Sequence, residues 1–132
     1  MKKKKGKIII LLVLIVGCIL SVWGAKAYIE ANLEKVSGST IENVDLSKLK
    51  DGAYTGSCNA FPVAAEVKVT IDKHTITGIE LIKHSNGQGT AAEIIPSQVV
   101  KAQSLEVDIV SGATYSSKVI LKAIEDALVK AY

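Results

Sequence analysis

Four hydroxyls crowd one short stretch near the end of the chain: Ser111, Thr114, Ser116 and Ser117, with Gly112 and Ala113 between the first two. The stretch runs into Ile120, Ala123, Ile124, Ala127, Leu128 and Ala131, whose three- and four-residue spacing marks one face of a helix. A helix start presents unpaired amides and the positive end of the helix dipole, and glycine lets the backbone come close to whatever binds there. Amides, hydroxyls and a glycine together suit a phosphate without help from arginine, and the chain has no arginine. The same residues also suit an ordinary hydroxyl cap, worth about 1 kcal/mol to the helix. No histidine or cysteine sits beside Thr114 in sequence, so its hydroxyl lacks an adjacent base that would make it a catalytic nucleophile. Two histidines and two cysteines in 132 residues, with no cluster of ligating types, leave no convincing hydrolase triad or metal set. Nor is there a nicotinamide-binding glycine fingerprint or an iron–sulfur cysteine set.

The elements that must position this stretch are legible in outline. Val63, Ala65, Val67, Val69 and Ile71 alternate with Ala64, Glu66, Lys68 and Thr70, the period of a half-buried strand. Asp72-Lys73-His74 then reads as a tight turn, with His74 in a left-handed position, and Thr75 to Lys83 as the returning strand. Ile76 and Ile82 are in one phase of that strand and Ile79 and Leu81 in the other, which predicts a bulge at Gly78. Ala53 to Cys58 predicts a first strand, separated from the second by Pro62. A loop with two glycines spans 84–90, a short helix is expected over Pro96 to Ser104, and the closing helix over Lys118 to about Lys130. The fold class is therefore α+β: a small antiparallel sheet with C-terminal helices, preceded by one N-terminal transmembrane helix.

That last element rests on charge. Six of the 16 lysines lie at positions 2, 3, 4, 5, 7 and 26, and the ten beyond them face all 13 acidic residues, a net −3. A basic tip on an acidic body excludes the usual nucleic-acid binder and marks a targeting segment. Ile8 to Ala25 carries no charge; about 18 residues at ~1.5 Å each give ~27 Å, close to the ~30 Å hydrocarbon core. Trp23 and Tyr28 fall where an outer aromatic belt belongs, and the positive-inside rule keeps the lysines in the cytoplasm. An uncleaved anchor is the favoured reading. Ile15-Val16-Gly17-Cys18 also resembles a lipobox, and Ala25-Lys26-Ala27 a cleavage site. All three readings put the remainder of the chain outside the cytoplasm. The expected organisation is 1–28 basic tip and anchor, 29–50 polar stalk or linker, and 51–132 compact domain. Cys18 and Cys58 then lie in different compartments and cannot pair, so Cys58 is expected to be a partly buried filler.

Asp108-Ile-Val-Ser111-Gly-Ala-Thr114-Tyr-Ser116-Ser117, followed by an amphipathic helix, resembles the signature of the FMN-binding domain family. Asp51-Gly-Ala-Tyr54-Thr-Gly56 resembles that family's opening strand, and Val63 to Lys83 its hairpin. Gly87-Gln88-Gly89-Thr90 lies where the family has a glycine-containing loop near the flavin, and Gln103-Ser104 precedes the motif as in many members. The resemblance implies an FMN carrier, as in sodium-pumping NADH:quinone reductase subunits and small surface flavoproteins. It implies FMN joined through a phosphodiester to Thr114 by a separate flavin transferase using FAD, with Asp108 as the motif acid. Ser111, Gly112, Ala113, Tyr115, Ser116, Gly87, Gln88 and Gly89 are implied cofactor contacts. Tyr54, Phe61, Tyr115 and Tyr132 are the candidates for ring stacking, and His84 a further neighbour. His74 departs from a common turn glycine, and Gln88 from a common proline-containing loop. The implied role is electron transfer between redox partners at the outer membrane face, rather than stand-alone catalysis. A non-covalent FMN protein and a flavin-free surface module are the alternatives.

Overall fold

The alternating residues of 63–71 do form a strand with one buried face: Val63, Ala65, Val67, Val69 and Ile71 are each at most 5% exposed. This comes from a computed structural model that describes residues 2–85 and 89–132. Its elements are α1 (Lys2–Ser37), β1 (Gly52–Ala60), β2 (Val63–Asp72), β3 (Thr75–Ser85), α2 (Ile95–Ala102) and α3 (Thr114–Val129). Short 3-10 turns occupy Leu46–Lys48 and Thr90–Ile94. The strands form an antiparallel sheet in the order β1-β2-β3. Helix α3 covers β1 and β2, and α2 lies against β3. The chain divides into two compact units, one ending at Asn32 and the other Leu33–Tyr132.

The β2–β3 hairpin turns through Lys73 and His74, both left-handed at φ 50° and 59°, the geometry whose twist matches paired strands. The phase change in β3 has two causes rather than the single expected bulge at Gly78. Thr70 pairs with Gly78 and Ile71 with Ile76, leaving Thr77 unmatched; Glu66 pairs with Lys83 and Val67 with Leu81, leaving Ile82 unmatched. The Thr77 hydroxyl donates to the Thr70 carbonyl at 3.2 Å, which ties the first bulge to its partner strand. Together the bulges keep Ile76, Ile79 and Leu81 packed on the core while Ile82 faces solvent.

Both sheet edges are occupied by side chains. On β1, the Ser57 amide donates to Asp126 Oδ2 at 3.0 Å and Lys130 Nζ donates to the Thr55 carbonyl at 2.8 Å, while Lys130 and Asp126 pair at 2.9 Å. On β3, the Ile76 amide donates to Gln103 Oε1 and Gln103 Nε2 returns to the Ile76 carbonyl, each at 2.8 Å. Gln103 thus stands in for a length of neighbouring strand. It also ends α2 two residues before the expected Ser104, because its own backbone is left-handed at φ 50°.

The expected stalk over 29–50 is not a free linker. Helix α1 continues to Ser37, and Val36, Ile41, Val44, Leu46 and Leu49 pack on the core, Leu49 at 1% exposed. Helix α3 holds this strap by its polar face. Lys118 Nζ donates to the Ser37 carbonyl, Lys122 Nζ to that of Thr40 at 2.7 Å, and the Glu42 amide to Glu125 Oε1 at 2.9 Å. Among the described residues α1 is the one helix long and apolar enough to cross a membrane, with a mean hydropathy of 2.9 and no part of that span buried. It is compatible with a membrane anchor.

Candidate functional site

Helix α3 begins at Thr114, a full turn before the expected Lys118. Ser116 and Ser117 lie inside the helix instead of capping it, and are buried at 2% and 0% exposed. The Ser117 hydroxyl explains why a serine is tolerated there. It donates to the Ala113 carbonyl at 2.8 Å and accepts the Val110 amide at 3.2 Å, locking the 110–113 turn onto the helix. The capping position falls to Ala113, which has no side-chain oxygen, and no side chain among the described residues caps this helix start. The first intrahelical bond runs from the Ser117 amide to the Ala113 carbonyl. Among the described residues, the amides of Thr114, Tyr115 and Ser116 are therefore the orphan donors of the first turn.

Around Thr114 the surface is open. Thr114, Ser111 and Gly112 are exposed, whereas Ala113 is 5% exposed and packs inward. Gly112 has φ +80°, and a Cβ built on it would meet nothing within 4 Å, so backbone and ligand can approach closely on that side. Tyr115 anchors the turn: its hydroxyl donates to the Ala60 carbonyl at 2.8 Å. Burial, and more weakly Cys58, push that hydroxyl's pKa above its ordinary value, so it stays a donor.

The direction of α3 fixes what surrounds its start. Its first turn reaches Ala60, Ala123 and Ala127 pass over Gly56, and Ala131 meets Lys50. The helix therefore runs antiparallel to β1 and begins at the end where β1 turns into β2 and β3 finishes. The row Cys58, Ala65 and His84 crosses the sheet there. The His84 ring is 2% exposed, and its Nδ1 lies 3.0 Å from Glu93 Oε1 on the 3-10 turn that also contacts α3.

The expected site residues are placed as follows. Ser111, Gly112, Ala113, Thr114, Tyr115 and Ser116 form one continuous turn and helix start. Asp108 is exposed and lines a groove of about 410 Å³ with Gln98, Lys101, Ala102, Glu106 and Val107. Gly89 is buried, its carbonyl accepting the Ala92 amide at 3.0 Å, while Gly87 and Gln88 lie outside the described residues. Of the stacking candidates, Tyr54 lies against Gly52 at the far end of β1, and Tyr132 accepts the Asp45 amide at 3.3 Å. Only Phe61 and Tyr115 are at the α3 start. The His84–Glu93 pair was not legible in sequence, since nine residues separate the partners and no period links a strand end to a 3-10 turn.

Amides, exposed hydroxyls and an unobstructed glycine meet at one helix start of an antiparallel α+β domain, a donor set whose chemistry fits a phosphate such as that of FMN. Comparison with known proteins agrees. Residues 63–129 match the FMN-binding domain family, and the chain belongs to it. Its cofactor is FMN. The chain is 38% identical over 79 residues to a urocanate reductase of Eggerthella lenta, covering 58% of this chain and 13% of that one. It is 33% identical over 91 residues to an NADH:acrylate oxidoreductase of Vibrio harveyi, covering 67% and 9%. An uncharacterized protein of Treponema pallidum (strain Nichols) is 30% identical over 101 residues, covering 74% and 28%. The chain thus spans less than a third of each of these relatives. A solved Clostridium perfringens structure shares the fold at TM-score 0.52 and 20% identity, covering 63% of this chain and 88% of that one.

Proposed function

We propose that this chain is a membrane-anchored electron carrier whose FMN is esterified through its phosphate to Thr114, on the extracytoplasmic side. The observation that carries the reading is Thr114 itself: an exposed hydroxyl in the first turn of α3, beside orphan amides and an open glycine. A phosphodiester there keeps its remaining negative charge at the positive end of the helix dipole. Nothing beside Thr114 in sequence serves as a base, which favours attachment by a flavin transferase. With FAD as donor, the Thr114 oxygen forms a bond to the FMN phosphorus, the pyrophosphate bond breaks, and AMP leaves with the hydroxyl proton. The chain then gains one FMN less one water.

FMN when bound accepts and releases one or two electrons; the protein holds it and shapes its surroundings. Two of the relatives are named as reductase and oxidoreductase, and the chain matches only a small part of each. That supports a module which passes electrons between redox partners. Lysines 2–5 and 7 before an uncharged span support an inward N-terminus and an outward body. The test is co-expression with a flavin transferase, followed by denaturing electrophoresis. The full chain should carry flavin fluorescence and Thr114→Ala none. A yellow native protein that loses its flavin on denaturation would select non-covalent FMN binding, and a colourless one a flavin-free surface module.

A further inference from the structure

We infer that Phe61 is the side chain on which the isoalloxazine ring packs; the inference rests on attachment at Thr114. Phe61 follows Ala60, the residue whose carbonyl receives the Tyr115 hydroxyl at 2.8 Å, and Tyr115 follows Thr114. One hydrogen bond and two chain steps therefore join the phenyl ring to the attachment residue. The ring is 56% exposed in the β1–β2 turn, although it is among the largest apolar side chains of the body. Apolar surface of that size gains from being covered, and a planar ring is covered best by another in offset or edge-on contact. Tyr54 and Tyr132 belong to the opposite end of α3, and the Tyr115 hydroxyl is held at Ala60, which fixes that ring against the sheet. A second exposed apolar side chain supports the placement. Ile94 is 50% exposed on the 3-10 turn that Glu93 ties to His84, two β1 positions from Ala60 across the Cys58–Ala65–His84 row.

The test uses the full chain loaded by the transferase, with flavin content counted by intact mass before any optical measurement. Phe61→Trp puts an indole in place of the phenyl ring, and an indole in van der Waals contact quenches excited flavin by electron transfer. Fluorescence per attached flavin should collapse in Phe61→Trp and stay at the parent level in Val129→Trp, at the far end of α3. Phe61→Ala should retain the mass gain and lose the visible circular dichroism that a fixed ring surface induces in the flavin. Full loading with unchanged fluorescence in Phe61→Trp and unchanged dichroism in Phe61→Ala overturns the assignment while leaving attachment intact. No mass gain in the parent chain defeats attachment at Thr114, and the Phe61 assignment with it.

Discussion

Gly56 shows how little room the body leaves at single positions. A Cβ built there lies 2.0 Å from the Ala123 carbonyl oxygen and 2.4 Å from the Ala127 nitrogen. Both are backbone atoms of α3, so no rotamer change relieves the contact. Gly56→Ala is expected to destabilise the body by about 3 kcal/mol, at the upper end for overpacking, read as a lower urea midpoint. A neutral result would mean that α3 does not seat on β1 this closely. Gln103 is the polar counterpart, making three hydrogen bonds through one amide, to Ile76 N, Ile76 O and Val100 O. Gln103→Ala leaves a strand edge and a helix end without partners and should cost about 2 kcal/mol. Hydrogen exchange at the Ile76 amide should rise with it, and unchanged protection there would contradict the pairing.

At the scale of elements, the periodic ones were legible and the ends were not. Strand β2 could be read from alternation because one face is buried and the other wet. The helical face of α3 could be read for the same reason. The start of α3 was misplaced by a turn because Thr114, Ser116 and Ser117 look like caps; only the tertiary burial of Ser117 makes them helical. The strap over 38–50 escaped because Ile41, Val44, Leu46 and Leu49 follow no period, and long-range bonds from Lys118, Lys122 and Glu125 hold it. The motif Ser111–Thr114 was legible, but that Tyr115, next to it, reaches Ala60 at the end of β1 follows only from the folded chain. One element contact carries a pH signature. The Lys130 ammonium, and then the Ser57 amide, hold the Asp126 carboxyl below its ordinary range. A carboxyl depressed in the folded state stabilises it above the unfolded pKa, near ~4, and that share is lost as pH falls through the lower folded value. Asp126 is partly exposed, so the share is small. Urea midpoints of the parent chain and Asp126→Asn should differ at pH 7 and converge once the pH has fallen below the lowered folded value. Asp45, held down by Ser47, is common to both chains and cancels. Parallel curves would contradict the Asp126 clasp.

The whole molecule joins a bare apolar helix to a body with its own buried core. The body holds its core without the unit that ends at Asn32. The full chain should therefore stay with membranes through carbonate washing, while a chain beginning at Leu33 should be soluble and keep its cooperative unfolding. Release of the full chain by carbonate would contradict an embedded anchor. The claim on which the account turns is chemical and local, and the most direct measurement of it is peptide mass mapping of the full chain purified from membranes that contain a flavin transferase. The account predicts one added FMN less one water, carried by the peptide containing Thr114 and absent in Thr114→Ala. A full-length chain with no added mass, or with flavin on any other residue, would contradict it.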